Sequence, residues 1–205
     1  MQPDDFGEYL VQSLYFDTDN WDVIRASIEK PVYKEKLRIR CYGIPDAASS
    51  VFLELKKKYK STVHKRRVML LLGDLQNKSA RDIMATDNTQ IGRELNYYLN
   101  SHNVYEKVHI SYNRLAFTTD NGLRITLDKN IHFRTNQLDY NHPQGGLEIL
   151  PANLTIMEVK TLGGMPLWLS YALSQHGIFP TSFSKYGVGY KKHVLPVIQK
   201  DGAAL

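Results

Sequence analysis

The chain has 205 residues, 42% hydrophobic and 23% charged, which is the composition of a globular protein and excludes a disordered one. Its formal net charge of +5 fits a polyanionic partner. Cys41 is the one cysteine, which excludes an internal disulfide and fits a reducing, cytoplasmic compartment. The sequence contains no run of about 18 apolar residues, so no membrane-spanning helix is predicted. The start, MQPDDFGEYL, lacks the basic and apolar regions of a signal peptide.

Residues 9–18 have the aromatic and β-branched content of a strand, and residues 19–31 predict a short helix or turn. Three strands that carry rows of positive charge are predicted next, between residues 33 and 68, in the stretches YKEKLRIRCYG, VFLELKKKYK and STVHKRRV. Successive side chains of a strand point to opposite faces, so each strand has a cationic face and a mostly apolar face. Like charges on paired strands destabilise a sheet, and we therefore expect an anion to lie over the cationic face.

The second half of the chain predicts helices and further strands. Residues 73–103 predict a helical insert on the outside of the sheet, because apolar residues recur there at helical spacing. The Asn-Gly pair in TTDNG predicts a hairpin of two strands, and LTIMEVKTL predicts another strand, with a helix from Gly163 onward. We expect one domain over residues 1–205, with a flexible tail at 193–205.

Charged residues on one face come from most of the predicted strands. A closed antiparallel barrel places one face of every strand inside. The sequence therefore predicts an α+β fold in which antiparallel strands form a tunnel and helices pack outside. Dry burial of so many cations would be prohibitive, so we expect a wet tunnel that holds a nucleoside triphosphate, triphosphate or longer phosphate chain. The cations are Lys36, Arg38, Arg40, Lys56, Lys58, Lys65, Arg67, Arg114, Arg124 and Lys160.

Carboxylates on the same face are candidate metal ligands. Mn²⁺ and Mg²⁺ take oxygen ligands, typically one or two carboxylates together with water and substrate phosphate. Glu158 is the first candidate, and Glu54 and Asp128 are secondary candidates that could instead pair with neighbouring lysines or arginines. The histidines show no zinc-binding spacing, and the sequence has no Walker A or G-x-G-x-x-G motif for phosphate.

A set of short motifs follows the chain in order. The motifs are SLYFDT (13–18), KLRIR (36–40), ELK (54–56), KRR (65–67), YNR (112–114), RITLD (124–128), EVK (158–160) and SKY (184–186). Together they resemble the VTC domain, the catalytic domain of the vacuolar transporter chaperone polyphosphate polymerases and of their bacterial relatives. That family belongs to the triphosphate tunnel metalloenzymes, which are related to the CYTH adenylate cyclase and thiamine triphosphatase domains.

The resemblance implies an enzyme that transfers the γ-phosphoryl group of ATP to a growing inorganic polyphosphate chain, with Mn²⁺ or Mg²⁺ as cofactor. Phosphoryl transfer needs mainly positioning and charge neutralisation, which an array of cations and one metal can supply. The resemblance assigns the metal to Glu158 and phosphate contacts to Lys36, Arg38, Arg40, Lys56, Arg114 and Arg124. It places Ser184 and Lys185 near one mouth of the tunnel, in contact with phosphates of the nucleotide or the product. Further candidates for phosphate contact are Lys58, Lys65, Arg67, Tyr112 and Lys160. The implied catalytic residues are Arg38, Arg40, Lys56, Arg114, Arg124 and Lys185.

One strand of the family pattern is missing before the SLYFDT stretch. The family normally has there a strand with a Glu-x-Lys motif, followed by a helix, and Met1 is too close to Tyr9 for either. In the family, that strand carries a phosphate-binding lysine. Either the sequence is truncated before this point, or this member of the family lacks one wall of the tunnel.

Two other functions stay open on the sequence alone. The first is a tripolyphosphatase or nucleoside triphosphatase, which would use the same tunnel with water as the acceptor. The second is a non-catalytic polyphosphate-binding module. Nucleic acid is not an expected partner, because the basic rows alternate with aliphatic side chains and not with exposed aromatic ones. A membrane-protein partner also stays open.

Overall fold

A computed structural model of the chain describes residues 2–202. Its strands are β1 (Gln2–Asp17), β2 (Tyr33–Tyr42), β3 (Ser50–Tyr59), β4 (Thr62–Leu71), β5 (Tyr105–Thr118), β6 (Arg124–Arg134), β7 (Leu147–Glu148) and β8 (Ile156–Lys160). They form one eight-stranded sheet in the order β4-β3-β2-β1-β5-β6-β7, and β8 also pairs with β6. All the strand pairs of this sheet are antiparallel.

Helical segments lie between the strands and after β8. They are α1 (Asp22–Ile28), α2 (Leu72–Asn77), α3 (Ala80–Thr86), α4 (Gln90–Ser101), α5 (Leu167–Gln175), α6 (Lys185–Gly189), a π-helical segment (Tyr190–Val194) and α7 (Leu195–Gly202). The expected insert thus consists of three helices, and the side chains of Ser79 and Thr89 cap the second and third. Within residues 2–202, no helix is both long and apolar enough to span a bilayer.

The first apolar core lies between the central strands and the helices α2 to α4. Leu37, Leu53 and Leu55 are fully buried, and they belong to one cluster with Leu95 and Leu99 of α4. Side chains alternate along a strand, so the residues between these leucines point to the opposite face of the sheet. The first core therefore fixes which face of the sheet carries the charges.

A second apolar core lies on that opposite face, at the end near β1, β5 and β6. Val11, Val108 and Ile131 of these strands pack with Tyr186 and Val194 of the C-terminal helices. The helices after residue 184 therefore cover part of the face that elsewhere carries charged side chains. This packing brings the beginning of α6 next to the charges.

A flexible tail was expected at residues 193–205, and the described part of this segment is helical. The helical run continues through α7 to Gly202, and Val194 is only 8% exposed within the second core. Apolar burial holds Val194 in place, and Leu195 packs against the same core, whereas residues 196–200 are exposed. Residues 203–205 lie outside the described residues.

The sheet is open, whereas a closed tunnel was expected. β4 forms one edge and β7 and β8 form the other, and no hydrogen-bonded pair joins these edges in the described part of the chain. The α+β class, the antiparallel sheet and the packed helices are confirmed. Closure of the sheet into a tunnel is not confirmed. The alternation of side chains predicts the two faces of each strand, but it does not predict whether the edge strands pair with each other.

Candidate functional site

The expected site residues lie on one face of the sheet and at the adjoining start of α6. We call this surface the charged face. The cross-strand register brings its side chains together, since residues directly opposite on neighbouring strands share a face. β2 supplies Lys36, Arg38 and Arg40; β3 Glu54, Lys56 and Lys58; β4 Lys65 and Arg67; β5 Tyr112 and Arg114; β6 Arg124 and Asp128; β8 Glu158 and Lys160; and α6 begins with Ser184 as its N-cap and Lys185.

Glu54 is the centre of one charge cluster on β2, β3 and β4. Its fully buried carboxylate accepts hydrogen bonds from Arg38 Nε and Nη2 at 2.9 and 2.7 Å. Arg67 donates to the other oxygen, from Nε at 2.7 Å, and Lys65 Nζ lies 2.5 Å from it. Burial alone would raise the pKa of Glu54, but these cations hold the pKa well below its ordinary value. Glu54 therefore remains ionised and fixes the side chains around it.

Asp128 is the centre of a second cluster, on β5, β6 and α6. Its buried carboxylate accepts two hydrogen bonds from Arg114, at 2.6 and 2.7 Å, in the bidentate geometry that arginine favours. Lys185 Nζ donates to it at 2.6 Å. Burial opposes ionisation here too, and the two cations lower the pKa of Asp128. Arg114 and Lys185 are thus preorganised on the charged face.

Hydroxyl groups connect the two clusters across β1. Arg40 donates to Ser13 Oγ and to Tyr112 Oη, both at 3.2 Å, and Arg38 Nη1 donates to Tyr15 Oη at 3.0 Å. Burial raises the pKa of a phenol, but the charges of Arg38 and Arg40 lower the pKa of Tyr15 to about 7. Tyr15 is therefore a proton-exchanging group at the middle of the charged face.

Other cations on this face have no carboxylate of their own. Among the described residues, the side chains of Lys56, Arg124 and Lys160 have no hydrogen bond or ion pair, and all three residues are exposed. Arg124 and Lys160 stand directly opposite each other on β6 and β8. Partial desolvation and the nearby charge of Arg38 lower the pKa of Lys56 to about 8. These groups are available to an anionic ligand, and like-charge repulsion favours its binding.

Glu158 is the carboxylate best placed to hold a metal ion. Its side chain is 39% exposed, and its Oε1 lies 3.5 Å from Lys185 Nζ and 3.6 Å from Arg114 Nη2. The secondary candidates Glu54 and Asp128 are fully buried and occupied by cations, which makes them poor ligands. Residues 2–202 contain no group of three or more His, Cys, Asp or Glu side chains suited to a metal. An ion at Glu158 would therefore need oxygens from phosphate, as Mg²⁺ commonly does.

The position of Lys185 depends on two residues that the sequence did not assign to the site. The next residue, Tyr186, donates its hydroxyl to Asp17 Oδ2 at 2.6 Å in the protein interior. The same carboxylate accepts the backbone N–H groups of Val23 and Ile24 at the start of α1. Asp17 therefore anchors both α1 and α6, and it thereby holds Lys185 against Asp128.

Tyr15 and Asp17 could have been found from one signal in the sequence. The alternation along SLYFDT places Ser13, Tyr15 and Asp17 on the same face of β1. The pairing of Ser13 with Arg40 and of Tyr15 with Arg38 shows that this is the charged face. What the sequence could not supply was this register, because it joins residues that are distant in the chain.

Comparisons with known proteins add to this geometry. A family model described as the VTC domain matches residues 2–194, and no curated relative matches. Among solved structures, HpAC1 from Hippeastrum, described as a candidate adenylyl cyclase with a dominant triphosphatase activity, is 19% identical with a TM-score of 0.53, over 93% of this chain and 85% of that chain. The PH1819 protein from Pyrococcus horikoshii OT3 is 14% identical with a TM-score of 0.45, over 91% of this chain and 83% of that chain.

Proposed function

This chain belongs to the VTC domain family, as its motifs predicted, and from that premise we propose that it is a metal-dependent polyphosphate polymerase. It would transfer the γ-phosphoryl group of ATP to a growing inorganic polyphosphate chain. The observation that carries the proposal is the charged face itself. It carries two clusters of arginine and lysine, each centred on a buried carboxylate. It also carries cations such as Lys56 and Arg124, whose side chains form no ion pair with a carboxylate of the described residues.

The fixed cations would position the phosphates. Arg38 and Arg114 are each held by a bidentate or forked contact to a buried carboxylate, so little reorganisation is needed when a phosphate binds. Phosphoryl transfer depends mainly on alignment of the reacting groups and on neutralisation of their charge. Lys56 and Arg124 add positive charge that no protein group offsets directly. The charged face therefore has the properties that binding of two phosphate-bearing substrates requires.

Glu158 and Lys185 would act where the phosphoryl group moves. When Mn²⁺ or Mg²⁺ is bound, it supplies further neutralisation of phosphate charge, and Glu158 is the residue that would hold it. Lys185 lies between Asp128 and Glu158 and can donate to a phosphate oxygen from that position. Its contact with Asp128 keeps the ammonium oriented before substrate arrives.

Hydrolysis is the second candidate function. The fold is shared with HpAC1, which is described as having a dominant triphosphatase activity. The same cations would bind a triphosphate for either reaction, and only the acceptor would change, from a phosphate chain to water. A third outcome, binding without catalysis, is consistent with the occupied carboxylates Glu54 and Asp128.

Incubation with ATP and Mn²⁺ tests the proposal, with products resolved by phosphorus NMR and by a polyphosphate gel. The polymerase predicts chain-internal phosphate signals together with stoichiometric ADP. Orthophosphate as the only phosphate product would establish the hydrolase, and triphosphate binding without turnover would establish the binding module. Arg124→Ala should lose activity, whereas Lys57→Gln is a matched control, because Lys57 pairs with Glu94 away from the charged face.

A further inference from the structure

Two consecutive pairs of lysines stand directly opposite each other on β2 and β3. Lys34 is opposite Lys58, and Lys36 is opposite Lys56. We call these four residues the lysine square. Directly opposite side chains have Cβ atoms about 5 Å apart, and like charges in such pairs destabilise a sheet. Repulsion within the lysine square therefore destabilises the free protein, and other interactions must offset this repulsion.

No carboxylate in the described part of the chain forms an ion pair with the lysine square. Lys34 donates to the backbone oxygen of Ser27 at 3.4 Å, and Lys36 donates to Ser184 Oγ at 3.3 Å. Both acceptors are neutral. By contrast, Lys57, which points to the other face of the same strand, lies 3.4 Å from Glu94 and 3.8 Å from Glu35. Carboxylates thus pair with Lys57 on the opposite face of the sheet, but they do not pair with the lysines of the square.

The square continues the charged face in one direction along the strands. The next pair in register is Arg38 and Glu54, the centre of the first cluster. Successive pairs on one face are about 6.6 Å apart, so Arg38, Lys36 and Lys34 mark a path of about 13 Å. A single phosphate cannot cover such a path, whereas a chain of linked phosphates can.

The kind of cation changes along this path. Arg38 and Arg67 contact Glu54, and an arginine guanidinium fixes the orientation of a bound phosphate. The square consists of lysines, whose ammonium groups act as compact point charges without a fixed orientation. A row of point charges suits a repetitive anion that can slide. Tyr33 and Tyr59, the adjoining aromatic pair, point to the other face of the sheet. The square therefore offers no stacking surface to a nucleic acid.

We propose that the lysine square is a subsite for the distal part of an inorganic polyphosphate chain, beyond the phosphates held at the arginine clusters. This inference rests on the proposed function and makes it more specific, since it names a polymer and not a triphosphate as the ligand that the whole charged face accommodates. Lys34, at the far end of this path, contacts only the longer ligand. The square thus distinguishes chain length.

The test compares the affinities of tripolyphosphate and long-chain polyphosphate by calorimetry at several salt concentrations. In Lys34→Gln, we expect unchanged tripolyphosphate affinity and an about threefold loss of long-chain affinity at low salt, with a salt dependence that is less steep by roughly one contact. The free variant should be at least as stable as the wild type, because the like-charge repulsion between Lys34 and Lys58 is removed. Lys57→Gln is the control with the same change of net charge, and it should change neither affinity.

Three results would overturn the inference. An equal loss of both affinities would show that the lysines act as a general field, and an unchanged long-chain affinity would show that they make no contact. A wild-type chain that binds long polyphosphate no more tightly than tripolyphosphate would show that the subsite does not exist. None of these results decides whether ATP is a phosphoryl donor, which the product analysis above tests separately.

Discussion

Arg38 and Arg124 carry the same charge on the same face but lie in different environments. Arg38 is 8% exposed and donates to the buried carboxylate of Glu54. Arg124 is exposed, and its side chain has no hydrogen bond or ion pair within residues 2–202. Nothing in the sequence separates their roles, since both alternate with apolar residues. The structure makes Arg38 part of the fold as well as of the site.

We therefore expect Arg38→Ala to destabilise the protein by about 1–3 kcal/mol, because it leaves one oxygen of the buried Glu54 without its donors. Arg124→Ala should change the stability by less than about 0.5 kcal/mol and weaken tripolyphosphate binding by roughly tenfold or more. Urea denaturation and calorimetry measure the two effects. Equal stability of both variants would contradict the structural role of Arg38.

The lowered pKa of Lys56 predicts a pH dependence of anion binding. Lys56 is charged below its pKa of about 8 and neutral above it, and an anion prefers the charged form. Tripolyphosphate affinity should therefore be lost as the pH rises above about 8. Tyr15, with a pKa of about 7, adds a negative charge as it ionises and should begin the loss at lower pH.

Two variants separate these contributions. In Lys56→Arg the side chain stays charged, so the loss of tripolyphosphate affinity above pH 8 should disappear. In Tyr15→Phe the loss of affinity that begins near pH 7 should disappear. Calorimetric titrations of each variant against the wild type cancel the protonation of the ligand itself. If the affinity of Lys56→Arg falls with pH as steeply as that of the wild type, Lys56 is not in contact with the ligand.

At the scale of elements, the C-terminal helices decide how the site is assembled. They pack Tyr186 and Val194 into the second core. The hydroxyl of Tyr186 also donates a hydrogen bond to Asp17 of β1, near the other end of the chain. Lys185 reaches Asp128 from this fixed helix. Although α6 is short, its position is set by the packing of the longer run that follows it.

The π-helical segment and α7 offer a pair of matched substitutions. Val194→Ser places a hydroxyl in the second core and should reduce the stability by about 1–3 kcal/mol. Val197→Ser is the control, because Val197 is 55% exposed and its loss should cost less than about 0.5 kcal/mol. Chemical denaturation provides the comparison. A flexible tail, as the sequence suggested, would make both substitutions neutral.

At the scale of the whole molecule, the charged face stores electrostatic repulsion that a ligand can relieve. Tripolyphosphate at a hundred times its Kd should stabilise the chain by about 2.7 kcal/mol through mass action. That corresponds to a rise in Tm of several degrees for a domain of this size. The rise should shrink as salt screens the exposed cations. Thermal unfolding with and without ligand measures it, and the absence of any rise at low salt would contradict an anion-binding face.

Much of the site could be predicted because strand alternation is a local property. The rows in KLRIR and ELK place Arg38 and Lys56 on one face without any knowledge of the partner strands. The ordered motifs also predicted the family, which the match over residues 2–194 confirms. These features depend only on neighbouring residues, so local patterns were enough to predict the α+β class, the two faces of each strand and the excess of cations on one face.

Tertiary structure decided which of those charges are compensated. The register of β2, β3 and β4 assigns Glu54 to Arg38, Lys65 and Arg67 and leaves Lys56 without a carboxylate. It also decided that the sheet remains open and that Asp17 supports Lys185 through Tyr186. These pairings join distant parts of the chain, and their energies depend on burial and distance together. No local pattern contains that information, because the same alternation is compatible with several registers.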